Sequence, residues 1–385
     1  MQDIDFLFII ANVNLRGGTE IQTLNLTQIL NETGYRAIIF SITPYEGKHE
    51  WIISLNNFQY TKYVKKERSI LNKLAGNYFS DSYLNEILKK ELLWLHPSLV
   101  VNQTYDLINA LPFGGGMKIA QVLNWSIIGY EASIKSIIRA KVFLIRYLSA
   151  WSNYICSRRR HFSIGKCDAI ITLTKSAILE LKVINPSVCT QSIHVISNPL
   201  KERKDAETIS TLNNKNLIYV GRLSREKGVM RLLQIWRWVS AELIDYTLSI
   251  YGEGYMLAEM KNCIQEHNIE RIRFCGYESD LSKIYLSADL LLSTSDSEGF
   301  GLVFVESFYY GVPVISFDCP VSPREIIGQA GVLIDCFDEL KYSSEVIALM
   351  NNKQKLFELQ TQAICRARDF YENRIVKQWE RLLDL

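Results

Sequence analysis

Short apolar runs alternate with amphipathic stretches along most of this chain, and that alternation constrains its fold more than any single motif. Residues 6–11, 37–42, 99–101, 119–123, 169–173 and 194–196 read as strands in the first half. Residues 217–220, 247–251, 272–276, 290–293, 314–317 and 331–334 do so in the second. Strand followed by helix, repeated, implies parallel sheets with helices on both faces. A length of 385 residues exceeds the usual size of one core, so two such domains are expected. Ligands of these sheets bind outside the carboxyl ends of the strands, and two domains facing each other would form a cleft there.

Composition removes several classes. With 48% hydrophobic residues, 22% charged residues and a formal charge of +2, the chain is that of an ordinary globular protein, with no sign of a nucleic-acid partner. Its eight cysteines occur singly, without a CxxC pair or metal-ligand spacing, and read as reduced thiols of a cytoplasmic protein. The amino terminus carries acids where a signal peptide has basic residues, and no apolar run reaches the length of a spanning helix. Residues 1–200 hold 21 Lys and Arg against 14 Asp and Glu, whereas residues 201–385 hold 22 against 27, so the halves face different surroundings. The polar segment after Leu200, KERKDAETISTLNNKN, lacks apolar periodicity and reads as a linker. The domains expected are 1–198, 199–366 and a C-terminal helix at 367–385 that packs back on the first.

Three motifs fall at strand-to-helix junctions. In Ser293-Thr-Ser-Asp-Ser-Glu298-Gly-Phe-Gly-Leu-Val-Phe-Val-Glu306-Ser307, two carboxylates stand with seven residues between them, around Gly299 and Gly301. The glycines permit a tight turn and close approach of backbone to a ligand, and ionised carboxylates accept from the hydroxyls of a sugar. Spacing alone equally allows a capping acid plus a solvated helix glutamate. In Gly221-Arg-Leu-Ser-Arg-Glu-Lys-Gly228, the cations Arg222, Arg225 and Lys227 crowd one loop, which suits a polyanion better than a solvated basic turn. Gly17 and Gly18 open a helix expected at 19–31, where free N–H groups and the helix dipole favour an anion. A lone Gly-Gly is weak, and the third glycine of a dinucleotide fingerprint is missing.

GRLSREKG, then SDSEGFGLVFVES, then YYGVPVIS, together with RGGTE near the start, VISNPL before the linker, YGEGYMLAEM and FDCPVSPREII, closely resemble family 4 of the retaining glycosyltransferases. That family's signature is a glutamate pair separated by seven residues, and the likeness covers essentially the whole chain. The resemblance implies a GT-B fold, α/β, with two Rossmann-like parallel-sheet domains facing across a cleft, the first on the acceptor side and the second binding a nucleotide-sugar donor. It implies that Arg222 and Lys227 bind the donor diphosphate, Glu306 the ribose hydroxyls and Glu298 the transferred sugar. Gly299, Phe300, Gly301 and Leu302 would supply backbone N–H groups, and Gly17 and Gly18 would approach the diphosphate from the other domain. Similar RGG-type loops and FDCP-type segments occur in bacterial enzymes that build O-antigen, capsule or exopolysaccharide. The expected reaction moves a hexose or N-acetylhexosamine, from a UDP-sugar by family frequency, to a lipid-linked oligosaccharide with retention.

Many relatives carry histidine at two strand ends of the first domain; here those places read Val101-Asn102-Gln103 and Leu123-Asn124-Trp125. Asn102 and Asn124 are therefore candidate donors to sugar or acceptor hydroxyls, though neither titrates near neutrality. No cofactor or metal is expected, since Asp3-Ile-Asp5 is a chance DxD and the cations already serve the diphosphate. From 132 to 167 there is no acid, while eight Lys and Arg accompany an apolar helical stripe. Such a segment could lie on an anionic membrane surface, here the inner face of the cytoplasmic membrane, or could equally be a core-facing helix with a solvated basic side. Rival readings are a GT-B sugar-nucleotide epimerase, a two-domain solute-binding protein and an inactive relative that only binds nucleotide-sugar.

Overall fold

The computed structural model describes residues 4–15, 17–54, 78–114, 116–124, 160, 162–186, 188, 192–202 and 208–385. The chain divides into two compact units, one of Met1–Pro199 with Ile375–Leu385 and one of Leu200–Arg374. In the first, the described strands are β1 (Ile4–Ile10), β2 (Ala37–Ser41), β3 (Ile52–Ser54), β4 (Pro97–Asn102), β5 (Ile119–Leu123), β6 (Ala169–Thr172) and β7 (Ser192–Val195). In the second they are β8 (Asn216–Val220), β9 (Thr247–Tyr251), β10 (Ile272–Gly276), β11 (Leu290–Ser293), β12 (Val314–Phe317) and β13 (Gly331–Ile334). All the strand pairs described are parallel.

The strand orders are β3-β2-β1-β4-β5-β6-β7 and β10-β9-β8-β11-β12-β13. In each sheet the strand that comes first in sequence lies inside the sheet and the order reverses beside it, between β1 and β4 and between β8 and β11. These are the doubly wound sheets expected, and at such reversals the flanking loops diverge and leave room for a ligand. The central strands are apolar on both faces because helices cover both; residues 6–10 of β1 and 290–292 of β11 are almost wholly buried. The observed strand limits lie within two residues of those expected. β3 was not anticipated, because three residues are too few to show a period, and it pairs at the sheet edge with β2 from Ile39 to Ser41.

Each unit has its own core. In the second, Leu232, Leu233, Ile235, Trp236 and Val239 of the helix Val229–Glu242 pack with β8, β9 and β11, and Tyr342 joins the same cluster. In the first, Leu84, Leu88 and Leu92 recur at helical spacing in Tyr78–Leu95 and pack against the sheet. The last segment of the chain contributes Trp379 to that unit: its indole meets the rings of Phe6 and Phe8 edge-on, with centroids 6.1 and 5.6 Å apart. Phe6 and Phe8 share a face of β1 because strand side chains alternate. Trp379 is 3% exposed, so Trp379→Ala should leave a cavity on β1 and lower stability by about 3–5 kcal/mol in denaturant unfolding.

Candidate functional site

The strand reversal of the second unit lies between β8 and β11, and the loops that leave those strands carry Arg222, Lys227 and Glu298. Their backbones are pressed together closely enough that side chains are excluded. Gly228 adopts φ 65°, and a Cβ built there would lie 1.9 Å from the Thr294 carbonyl oxygen. Thr294 Oγ1 donates to the carbonyls of Lys227 and Gly228 at 3.2 and 3.1 Å, and the Asp296 N–H donates to the Glu226 carbonyl at 2.9 Å. The β8 loop is held from its other side as well, with Tyr219 Oη donating to the Arg222 carbonyl at 3.0 Å and the Leu223 N–H to the Glu253 carbonyl at 2.8 Å.

This stitching brings Lys227 Nζ to 2.5 Å from Glu298 Oε1, and Ser295 Oγ donates to the same oxygen at 2.7 Å. Glu298 is 8% exposed. Its backbone is fixed too: the Ser322 N–H donates to the Glu298 carbonyl, and Glu298 N–H to the Pro320 carbonyl, as a short parallel bridge to Val321. An ammonium has three donors and a carboxylate four acceptor positions. Among the described contacts, one Lys227 donor is spent on Oε1, and neither its other two donors nor Glu298 Oε2 has a partner. The carboxylate is thereby oriented by a cation and a serine, and Ser295 is a partner that the motif reading missed.

Arg222 is placed differently. Its side chain is two-thirds exposed and its described ion pair, with Glu226, spans 3.9 Å. It can swing to an anion but is not preset as Lys227 is. Burial acts to raise the Glu226 carboxyl, yet hydrogen bonding to its own backbone and the charges of Arg222 and Lys227 outweigh this and leave it lowered.

Gly299, Phe300 and Gly301 form the turn into the helix Leu302–Tyr309. Gly301 is left-handed at φ 77°, and a Cβ there would strike the Phe304 ring. No side chain caps this helix; the Phe304 N–H donates to the Gly301 carbonyl at 2.9 Å, which leaves the N–H groups of Leu302 and Val303 without a partner within the helix. Phe300 is buried edge-on against Phe370 at 5.7 Å. Glu306 projects from the helix, where its Oε2 accepts from Tyr285 Oη at 2.9 Å. Protein atoms crowding its carboxyl raise it above the ordinary value, opposed by the Tyr285 hydrogen bond. Burial and the Glu306 charge push the Tyr285 phenol well up, so it remains a donor.

Gly17 and Gly18 stand in the first unit at the start of the helix Gly18–Glu32. The Glu20 carboxylate folds back there, so close that a Cβ on Gly17 would lie 2.3 Å from Oε2. An incoming anion at this helix end meets a carboxylate already in place. Asn102, expected to offer a donor, does not: it is fully buried, and its amide donates to Gln121 Oε1 at 2.6 Å and to the Thr104 carbonyl at 3.0 Å. Both amide hydrogens serve the β4–β5 junction. Asn124 is half-buried, and its amide donates to the Gln103 carbonyl and Oε1 at 3.0 and 3.2 Å, so a ligand can be offered its carbonyl oxygen instead. Trp125 and most of the basic stretch, 125–159 and 161, lie outside the described residues. At its end Arg160 pairs with Asp106 at 2.8 Å, and the Lys166 ammonium lies over the rings of Phe162 and Phe113 at 5.0 and 5.7 Å. Among the described residues no helix is long and apolar enough to cross a membrane, and no group of three His, Cys, Asp or Glu is arranged to hold a metal.

Residues 201–370, almost the whole second unit, match the family model of glycosyl transferases group 1. An uncharacterised glycosyltransferase of Haemophilus influenzae is 25% identical over 388 residues, covering 98% of this chain and 99% of its own. The amylovoran biosynthesis glycosyltransferase AmsD of Erwinia amylovora is 24% identical over 229 residues, 58% of this chain and 64% of its own. Among solved structures, a variant of S. aureus TarM in complex with fondaparinux, alpha-GlcNAc-glycerol and UDP superposes with a TM-score of 0.75 at 14% identity, covering 100% of both chains. Anabaena HepE in complex with UDP and glucose gives 0.71 at 16% identity over 99% of each. The architecture is thus GT-B, two Rossmann-like parallel-sheet domains, and the likenesses support a glycosyltransferase.

The raised Glu306 carboxyl has a consequence for stability. A carboxyl whose folded value lies above its unfolded one binds more protons folded than unfolded, so it destabilises the fold increasingly as pH rises from about the ordinary 4.5 through the folded value. Below that window both states are protonated and nothing is lost. Glu306→Gln should therefore gain stability relative to the parent at neutral pH, with the gap closing as pH falls toward 4.5; urea unfolding across that range measures it.

Proposed function

We propose that this protein moves a hexose or N-acetylhexosamine from a nucleotide-sugar to a lipid-linked saccharide, with retention, in the synthesis of a surface polysaccharide. The observation that carries the reading is the Lys227–Glu298 contact at the β8–β11 reversal: a buried carboxylate held by a cation that still has donors to spare. In this reading Lys227 and Arg222 grip the diphosphate, helped by the N–H groups of Gly299, Phe300, Gly301 and Leu302. Glu298 Oε2 takes a hydroxyl of the transferred sugar, and Glu306, steadied by Tyr285, takes the ribose.

Breaking the sugar–phosphate bond leaves negative charge on the departing nucleotide, and preset cations and helix N–H groups stabilise that charge most at the transition state. The acceptor hydroxyl then attacks from the face the leaving group vacates, and a phosphate oxygen takes its proton, so no protein nucleophile is needed. With the cations meeting the phosphate charge, no metal is assigned a role. A UDP-sugar is favoured because TarM and HepE were each solved with UDP. A lipid-linked acceptor is supported by a Campylobacter jejuni relative, 24% identical over 58% of this chain, named for an undecaprenol-linked acceptor. Such an acceptor suits work at the inner face of the cytoplasmic membrane, for which the acid-free basic stretch at 132–167 is the sequence support.

A panel of nucleotide-sugars tested for thermal stabilisation identifies the donor, since a ligand at 100 times its dissociation constant adds roughly 2.7 kcal/mol. Incubating that donor with lipid-linked saccharides should give transfer. Conversion of the donor without acceptor would instead indicate an epimerase, and binding without either an inactive relative. Lys227→Ala should lower kcat/KM for transfer by about 100-fold or more, the effect of losing a preset transition-state donor. Parental kinetics in that variant would refute the role given to Lys227.

A further inference from the structure

The Lys227–Glu298 pair joins two loops that leave different strands, so something must hold those loops at a fixed separation. The guanidinium of Arg231, on the first turn of the helix Val229–Glu242, lies between them and is largely enclosed. Nη1 donates to the Thr294 carbonyl at 2.7 Å, and Nη1 and Nη2 each reach Asp296 Oδ1 at 3.1 Å. Its Nε faces Glu339 Oε1 at 3.6 Å. The guanidinium also lies against two aromatic rings that meet edge-on, with Cζ 4.1 Å from the Phe337 centroid and 5.5 Å from that of Phe317. Gly228 makes the arrangement possible, because a Cβ there would lie 2.7 Å from Arg231 Nη1 as well as striking Thr294.

We infer that Arg231 is a positioning residue for the donor site: it locks residues 294–296 to the end of the β8 loop and so sets where Glu298 stands relative to Lys227. The guanidinium touches neither Lys227 nor Glu298 in the described contacts; it acts through Thr294 and Asp296, four and two residues before Glu298. A planar fork can bond a carbonyl and a carboxylate in one direction while stacking on rings in another. Lysine, a point charge on a flexible stem, can satisfy only part of this set, so Arg231→Lys should behave much like Arg231→Ala. The inference rests on the donor-site reading for its kinetic consequence but not for its structural one.

Two measurements on the full chain test it. In crystal structures of Arg231→Ala, Lys227 Nζ and Glu298 Oε1 should separate to beyond hydrogen-bond distance; a pair still closed would overturn the inference whatever the protein transfers. In kinetics with the donor identified by the stabilisation screen, Arg231→Ala and Arg231→Lys should each lose about tenfold or more in kcat/KM for transfer. Uridine alone, which carries no diphosphate, should bind both within about twofold of the parent, because the ribose end given to Glu306 and Tyr285 does not depend on the Lys227–Glu298 separation. An equal loss of uridine binding and transfer would mean a general structural role, and unchanged transfer would mean none. If Arg231→Ala fails to fold, Asp296→Ala decides, since it removes one anchor at a half-exposed position; it should show the same split at smaller size, and parental values would overturn the inference. A parent that neither binds UDP nor transfers would count against the functional reading alone, leaving the crystallographic test standing.

Discussion

A parallel strand can be reached again only by crossing over the face of its sheet, and that constraint governs the whole of Leu200–Arg374. Because each crossover returns to the same end, every loop after a strand emerges on one side. The order β10-β9-β8-β11-β12-β13 then sends the chain one way after β8 and the other way after β11, so their loops part and leave a gap. Residues 222–228 and 294–301 are neighbours for that reason, although about seventy residues separate them in sequence. The winding thus sets the loops that carry Lys227 and Glu298 side by side.

Topology brings the loops together, but it does not bring them close enough. The last ångströms come from glycine. Gly228 lies against Thr294, Gly252 against the Gly221 carbonyl and Gly254 against the Leu223 carbonyl, each so tightly that a methyl group would collide with backbone. With the backbones in contact, a lysine and a glutamate can be desolvated together. Such a pair is costly unless its geometry is good and its other hydrogen-bonding positions are met. Ser295 meets one of them on Glu298. The remaining positions have no partner among the described contacts, and a ligand bearing anionic oxygens and hydroxyls would complete them.

Strands and motifs were legible because their signals are local: a run of apolar residues, a cluster of cations, glycines at a turn. β3 was not, because Ile52–Ser54 is too short for a period and pairs only at an edge. Asn102 was misread for a related reason. Its place at a strand end was right, but sequence cannot show that Gln121, opposite it on β5, claims its amide. Arg222 and Lys227 look alike in GRLSREKG, yet one is solvated and the other locked, since only the fold decides which cation faces β11. Tyr285 and Arg231 carried no signal at all. Tyr285 stands in a short helix of mixed character, and Arg231 resembles any basic residue on an amphipathic helix, so their partners are set wholly by packing.

The two glutamates that look symmetrical in sequence end in opposite surroundings, and the helix geometry is the cause. Glu298 precedes the turn at Gly301 and so remains with the loop, beside Lys227. Glu306 lies after it, on the face of the helix Leu302–Tyr309 that meets Tyr285, whose ring stacks on Tyr310 at 5.6 Å. One carboxylate is therefore answered by a cation and the other by a neutral phenol. The second is raised by its enclosure and gains when further donors arrive. On the proposed reading a ribose diol supplies two. The seven residues between them would then separate a carboxylate partnered by a cation from one that a bound nucleoside would partner, and donor binding and the electrostatics of Glu306 would form a single equilibrium.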